Sequence, residues 1–146
     1  MNRAYQLALN YLSRALRTTE EVRRYLIRKG FKDDEIEEAI TKLIELGYLD
    51  DKRYLENYLA SSKMQKYGFL KVKLKLLQKG INPGLLNDLN FNEDEEVAKA
   101  KEILLKKYKY LEPAGYAKYY RFLLSRGFPP SVVQKALFLT DNMDNG

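Results

Sequence analysis

Leu26-Ile27-Arg28-Lys29-Gly30-Phe31, Leu76-Leu77-Gln78-Lys79-Gly80-Ile81 and Leu123-Leu124-Ser125-Arg126-Gly127-Phe128 are three versions of one hexapeptide, and reading them decides the fold. Each sets two aliphatic side chains before a polar pair, then a glycine, then a large apolar residue. A helix that ends on a residue in the left-handed conformation needs this arrangement, because only glycine enters that conformation without strain. The cation just before each glycine suits the negative end of a helix.

Outward from each glycine the match continues. Eight residues upstream stand Val22, Val72 and Tyr119, and six downstream stand Ile36, Leu86 and Val133. The glycines are 50 and 47 residues apart, a spacing that signals tandem supersecondary units. Start signals agree with the stops. Thr18 with Glu21 and Asn92 with Glu95 have the spacing of capping boxes, Asn82-Pro83 places a cap before a proline, and Asp50 precedes a further apolar run. Helices are expected near 3–16, 19–29, 34–46, 51–65, 69–79, 83–89, 93–109, 114–126 and 131–138. The fold expected is all-α: three tandem three-helix repeats in an elongated, curved arrangement. The repeats span residues 1–50, 51–91 and 92–139, and 140–146 form a flexible polar tail.

Composition removes most chemistry. The 146 residues contain no histidine and no cysteine, so imidazole bases, thiolate nucleophiles and the softer metal ligands are absent. No phosphate-cradling glycine loop, nucleophile elbow or catalytic acid pair appears. Neither an enzyme nor a cofactor is expected. The acids Asp33, Asp34, Glu35, Glu37 and Glu38 fill a first helical turn, where they favour the positive helix end rather than a metal. No apolar run approaches the roughly 20 residues that span a bilayer. A cytoplasmic monomer is expected.

Charge is uneven. Of the +6 excess, the segment 51–91 supplies most, with eight basic residues against three acidic. No acid stands between Glu56 and Asp88, where Lys63, Lys66, Lys71, Lys73, Lys75 and Lys79 fall. At about 100° per residue, Lys71, Lys75 and Lys79 project away from the stripe of Phe69, Val72, Leu76 and Leu77, while Lys73 falls near it. Tyr67 sits among these cations at a helix start. Tyr5, Tyr54, Tyr58 and Tyr119 occupy apolar helical positions and read as core, and Lys42 and Lys99 read as ordinary surface cations. Lys63, Lys66, Tyr67, Lys71, Lys75 and Lys79 are therefore the candidate partner-binding or DNA-binding residues.

Two stretches, LSRALRTTEEVRRYLIRKGF from Leu12 and GYLDDKRYLENYLASSKMQKYGFLKVKLKLLQKGIN from Gly47, resemble the RecX family of regulators of the bacterial recombinase RecA. The features that carry the resemblance are Arg14, Thr19, Glu21-Val22, Leu49 to Tyr54, Lys66-Tyr67-Gly68 and Leu77 to Ile81. The likeness covers about residues 4–139, with two departures: Pro83-Gly84 breaks the third helix of the middle repeat, and Tyr119-Tyr120 loosen the third. What it implies is binding to the RecA filament on single-stranded DNA and modulation, chiefly inhibition, of recombinase, ATPase and coprotease activity. DNA repair, recombination and the SOS response would be its setting, with weak direct binding to nucleic acid. The competing reading is a helix-turn-helix-like DNA-binding protein. It fits less well, because its candidate recognition helix at 34–46 is acidic on its surface.

Overall fold

A computed structural model describes residues 3–61, 64–89 and 91–144. Among them the regular structure is helical: α1 Arg3–Leu12, α2 Thr19–Arg28, α3 Asp33–Glu45, α4 Asp51–Leu59, α5 Phe69–Gln78, α6 Pro83–Asn87, α7 Glu93–Lys107, α8 Tyr116–Ser125 and α9 Pro130–Asp144. Short 3₁₀ turns at Met64–Lys66 and Pro113–Gly115 precede α5 and α8. The three glycines have φ of 89°, 89° and 96°. At each, the residue after the glycine donates back to the aliphatic residue four before it: Phe31 to Leu26, Ile81 to Leu76 and Phe128 to Leu123. Each repeat thus ends its second helix with the same closed turn.

The starts form as expected. Thr18 and Glu21 complete a reciprocal box, and Asn92 accepts from the Glu95 N–H. Asn82 accepts from Gly84, and Asp50 Oδ1 accepts from Arg53 at 3.1 Å. Helix α1 stops at Leu12 rather than near residue 16, because Ser13 Oγ takes the Asn10 carbonyl at 2.6 Å. Helix α4 ends at Leu59 rather than near 65, and α9 continues to Asp144, through most of the segment expected as a tail.

Two compact units divide the chain, each assembled from two stretches. The first takes residues 1–59 and 76–88. Its core is Ala4, Tyr5, Ala8, Val22, Leu26, Ile36, Ala39, Ile40, Leu43 and Leu49, where α1, α2 and α3 meet. Burying a side chain such as Leu26 or Leu43 contributes about 1.5–3 kcal/mol. Within this unit the start of α2 packs on the end of α5. Thr18 Oγ1 donates to the Lys79 carbonyl, Arg24 donates to the Gln78 carbonyl at 3.0 Å, and Gly80 lies against the Glu20 side chain.

The second unit takes residues 60–75 and 89–146, with a core of Val97, Ala100, Leu104, Tyr119, Leu123, Phe128, Val132, Val133, Ala136 and Leu137. Here the start of α5 packs on the end of α8. A helix leaves its first N–H groups without internal partners. Gly68 donates to the Arg126 carbonyl at 2.7 Å, Leu70 to the Gly127 carbonyl at 3.1 Å, and Phe69 to Glu96 Oε1 at 2.6 Å. Gly68 and Gly127 let the two backbones touch, since a Cβ on either would strike the opposite chain. Glu96 is 6% exposed and also pairs with Lys99 at 2.7 Å. Lys99, its side chain only 11% exposed, is thus held in an ion pair and is not the surface cation that its sequence context suggests.

Candidate partner-binding surface

The docking of α5 on α8 fixes where the basic segment points. Lys71 and Lys75, one turn apart on α5, both lie over the Tyr67 ring, with Nζ 4.9 and 3.9 Å from its centroid. Arg126 joins them from the end of α8, its guanidinium 5.8 Å from the same ring and 5.2 Å from that of Phe122. Lys71 also donates to the Ser125 carbonyl at 3.2 Å, an interaction of a cation with a helix C-terminus. The Lys75 ammonium, first among the nearby cations, holds the Tyr67 hydroxyl below the usual tyrosine range. None of Lys71, Lys75 and Arg126 is ion-paired with a described carboxylate. Three positive groups held on one ring without an acid repel one another and favour an incoming anion or acidic surface.

Lys66, exposed on the 3₁₀ turn before α5, rims an adjoining open depression of about 480 Å³. Gln65, Ile103, Lys106, Lys107, Phe122 and Arg126 complete its lining. Four cations thus surround an apolar floor.

Of the residues singled out from sequence, Tyr67, Lys71 and Lys75 come together, with Lys66 alongside. Lys79 does not join them: it belongs to the first unit, where its carbonyl receives Thr18. Lys63 lies outside the described residues. The exposed side of α5 also differs from expectation. Val72 and Leu76 are buried, but Lys71, Lys75 and Lys79 are only half-exposed, and Leu70, Leu74 and Leu77 face solvent at 52%, 54% and 38%. The lysine stems follow the Tyr67 ring and the end of α8, which leaves the leucines outward. Arg126 reads in sequence only as a helix-end cation, and Lys106 and Lys107 carry no signal that singles them out. Nothing in their spacing announces the long-range approach of α8 to α5.

Of the tyrosines read as core, Tyr5, Tyr54 and Tyr119 are buried, and Tyr58 is half-buried against Tyr54 at 6.3 Å between ring centroids. The acids of the first turn of α3 serve that helix. Glu35 accepts from the Lys32 N–H, while Glu37, one turn further on, ties α3 to α2 by accepting from Arg23 at 2.8 Å. No group of acids able to hold a metal occurs among the described residues, and no described helix is long and apolar enough to cross a membrane.

Comparison with known proteins places these features. Residues 4–43 match the family model for the first three-helix domain of RecX, and residues 93–137 match that for the third. The chain is 35% identical over 139 residues to a protein named Regulatory protein RecX from Legionella pneumophila (strain Corby), covering 92% of this chain and 93% of that one. It is 33% identical over 129 residues to the protein of the same name from Clostridium perfringens (strain SM101 / Type A), spanning 60% of that longer relative. The crystal structure of RecX from Lactobacillus salivarius superposes with a TM-score of 0.80 at 31% identity over 95% of both chains. With most of its length matched to regulatory proteins of this name, and two of its three-helix segments matched to the family's own domains, the chain belongs to the RecX family.

Proposed function

We propose that this protein binds the RecA filament on single-stranded DNA and restrains its recombinase, ATPase and coprotease activities, acting as a regulator without an active site of its own. The observation that carries this reading is the surface of the second unit, where Tyr67, Lys71, Lys75 and Arg126 stand beside the exposed Leu70 and Leu74. A site for nucleic acid alone needs cations and stacking rings. Solvent-facing leucines among those cations suit a protein partner, which adds apolar contacts that salt screens little. Weak direct binding to single strands follows from the same cations.

Titration against a labelled single strand, with and without RecA and a non-hydrolysed nucleotide, at two salt concentrations, tests this. Affinity for the filament exceeds that for the bare strand, and bare-strand affinity falls more steeply with salt, by about 0.7 in logarithmic slope per phosphate neutralised. Lys66→Glu with Lys75→Gln weakens filament binding well beyond Lys42→Glu with Lys52→Gln, while stability in both changes by less than about 0.5 kcal/mol per site. Equal affinity for strand and filament at both salts sinks the regulator in favour of a DNA-binding protein.

A further inference from the structure

The first unit holds a cavity that the basic surface does not use. It lies between the end of α1, the segment that follows it, the turn after α3 and the start of α4, and has a volume of about 240 Å³. Leu9, Leu12, Leu16, Tyr48 and Tyr54 give it an apolar wall, and Leu16 and Tyr48 remain 56% and 53% exposed at its rim. This volume is below the roughly 300–1,000 Å³ typical of pockets for small molecules and cofactors, and suits one or two side chains of a larger partner.

Arg17 also lines it. Its guanidinium lies over Tyr11, 4.4 Å from the ring centroid, and reaches Glu21 only at 3.9 Å. Its Nε is the one buried side-chain polar atom among the described residues that has no hydrogen-bond partner. A buried N–H of a charged group is costly to leave unpaired, so this guanidinium, part of which lines the cavity, is short of acceptors. The acids of the neighbourhood are already committed: Asp50 accepts from Arg53, Asp51 from Thr19, and Glu21 from Thr18. Arg53 adds a second positive charge to the lining against the single charge of Asp50.

We infer that this cavity is a docking site for a protein segment that inserts a bulky apolar side chain and presents a carboxylate beside it to the Arg17 guanidinium. The occupant is a partner's loop or tail of acidic and apolar residues. This surface is separate from the cationic one on the second unit, and the inference does not depend on the filament being the partner.

The test uses the full chain labelled with ¹⁵N in arginine, with the Arg17 Nε–H resonance assigned from its loss in Arg17→Lys. N-acetyl-leucine carries both features of the expected segment; N-acetylglycine lacks the apolar side chain and N-acetyl-leucinamide lacks the carboxylate. N-acetyl-leucine is expected to move the Arg17 resonance at millimolar concentration, with each of the other two at least roughly tenfold weaker. Ala15→Leu, which adds bulk to an exposed part of the lining, reduces that shift while circular dichroism stays helical. An unmoved resonance would mean that water satisfies the donor, and equal shifts from all three probes would mean contact without a cavity. Either result overturns the inference. So does movement on raising the protein concentration alone or on adding an oligothymidylate, which would give the cavity to a second copy or to nucleic acid.

Discussion

Alanine at each of the three repeat glycines separates two costs that sequence cannot distinguish. All three sit at nearly the same positive φ, so each replacement forces an L residue into the left-handed region at about 1–2 kcal/mol. They differ in what a new methyl group meets. At Gly30 it meets nothing within 4 Å. At Gly80 it strikes the side chain of Glu20, and at Gly127 it strikes the backbone of Lys71 as well as its Cβ. Overpacking adds typically about 1–3 kcal/mol, and neither clash is relieved by a rotamer change, because the atoms struck are the Cβ and Cγ of Glu20 at Gly80 and the Cβ and backbone of Lys71 at Gly127. The expected losses are about 1–2 kcal/mol for Gly30→Ala and about 2–5 kcal/mol for each of Gly80→Ala and Gly127→Ala. With a urea dependence of about 1–3 kcal/mol per molar, these are shifts of roughly half a molar to beyond two molar in the unfolding midpoint followed by circular dichroism. A Gly127→Ala protein no less stable than Gly30→Ala would refute the contact of the α5 start with the α8 end.

Replacing Glu96 with alanine strands Lys99 and frees the Phe69 N–H, and is expected to cost about 3–5 kcal/mol in urea unfolding, against less than about 0.5 for Glu93, whose pair with Lys135 is exposed. Equal losses would show that the Glu96 pair is not buried in solution. Tyr67 is expected to ionise below the ordinary tyrosine range, and Lys75→Gln to move its titration, followed through the ring carbon that bears the hydroxyl, back towards the ordinary value. An unchanged titration would remove Lys75 from that ring. Burial, with Glu21 nearby, pushes Tyr54 up to about 12. The folded protein keeps that proton from the ordinary tyrosine range near 10 up to about 12 while the unfolded chain loses it, so stability falls as pH rises through this window. Tyr54→Phe is expected to flatten the fall, and urea midpoints at pH 9 and 11 check this.

What sequence made legible is local. The closed turns at Gly30, Gly80 and Gly127, the box at Thr18, the cap at Asp50 and the buried stripe of Val22, Leu26, Val72 and Leu76 each depend on residues within about two turns of one another. What escaped depends on docking. Lys99 belongs to a helix dense in charge, and its burial follows from Glu96 being drawn in to cap the start of α5. Arg126 and Lys75 are far apart in the chain and meet at a tyrosine only because two glycines permit backbone contact. The early end of α1 depends on a serine hydroxyl that competes for a carbonyl, an outcome that apolar periodicity does not register.

Because each unit is built from two separated stretches, the order in which the ribosome releases the chain matters. Helices α1 to α3 emerge first with most of their core complete, yet the carbonyl that Thr18 caps arrives 61 residues later. The start of α5 waits likewise for Arg126, which is made long after it. Loop-closure entropy must be met before these distant bonds form, so a nascent chain released anywhere before the third glycine carries a fifth helix whose Gly68 and Leu70 amides are still bonded to water. Completion of α8 supplies the carbonyls for which the α5 start waits, and α9 then closes the core of the second unit.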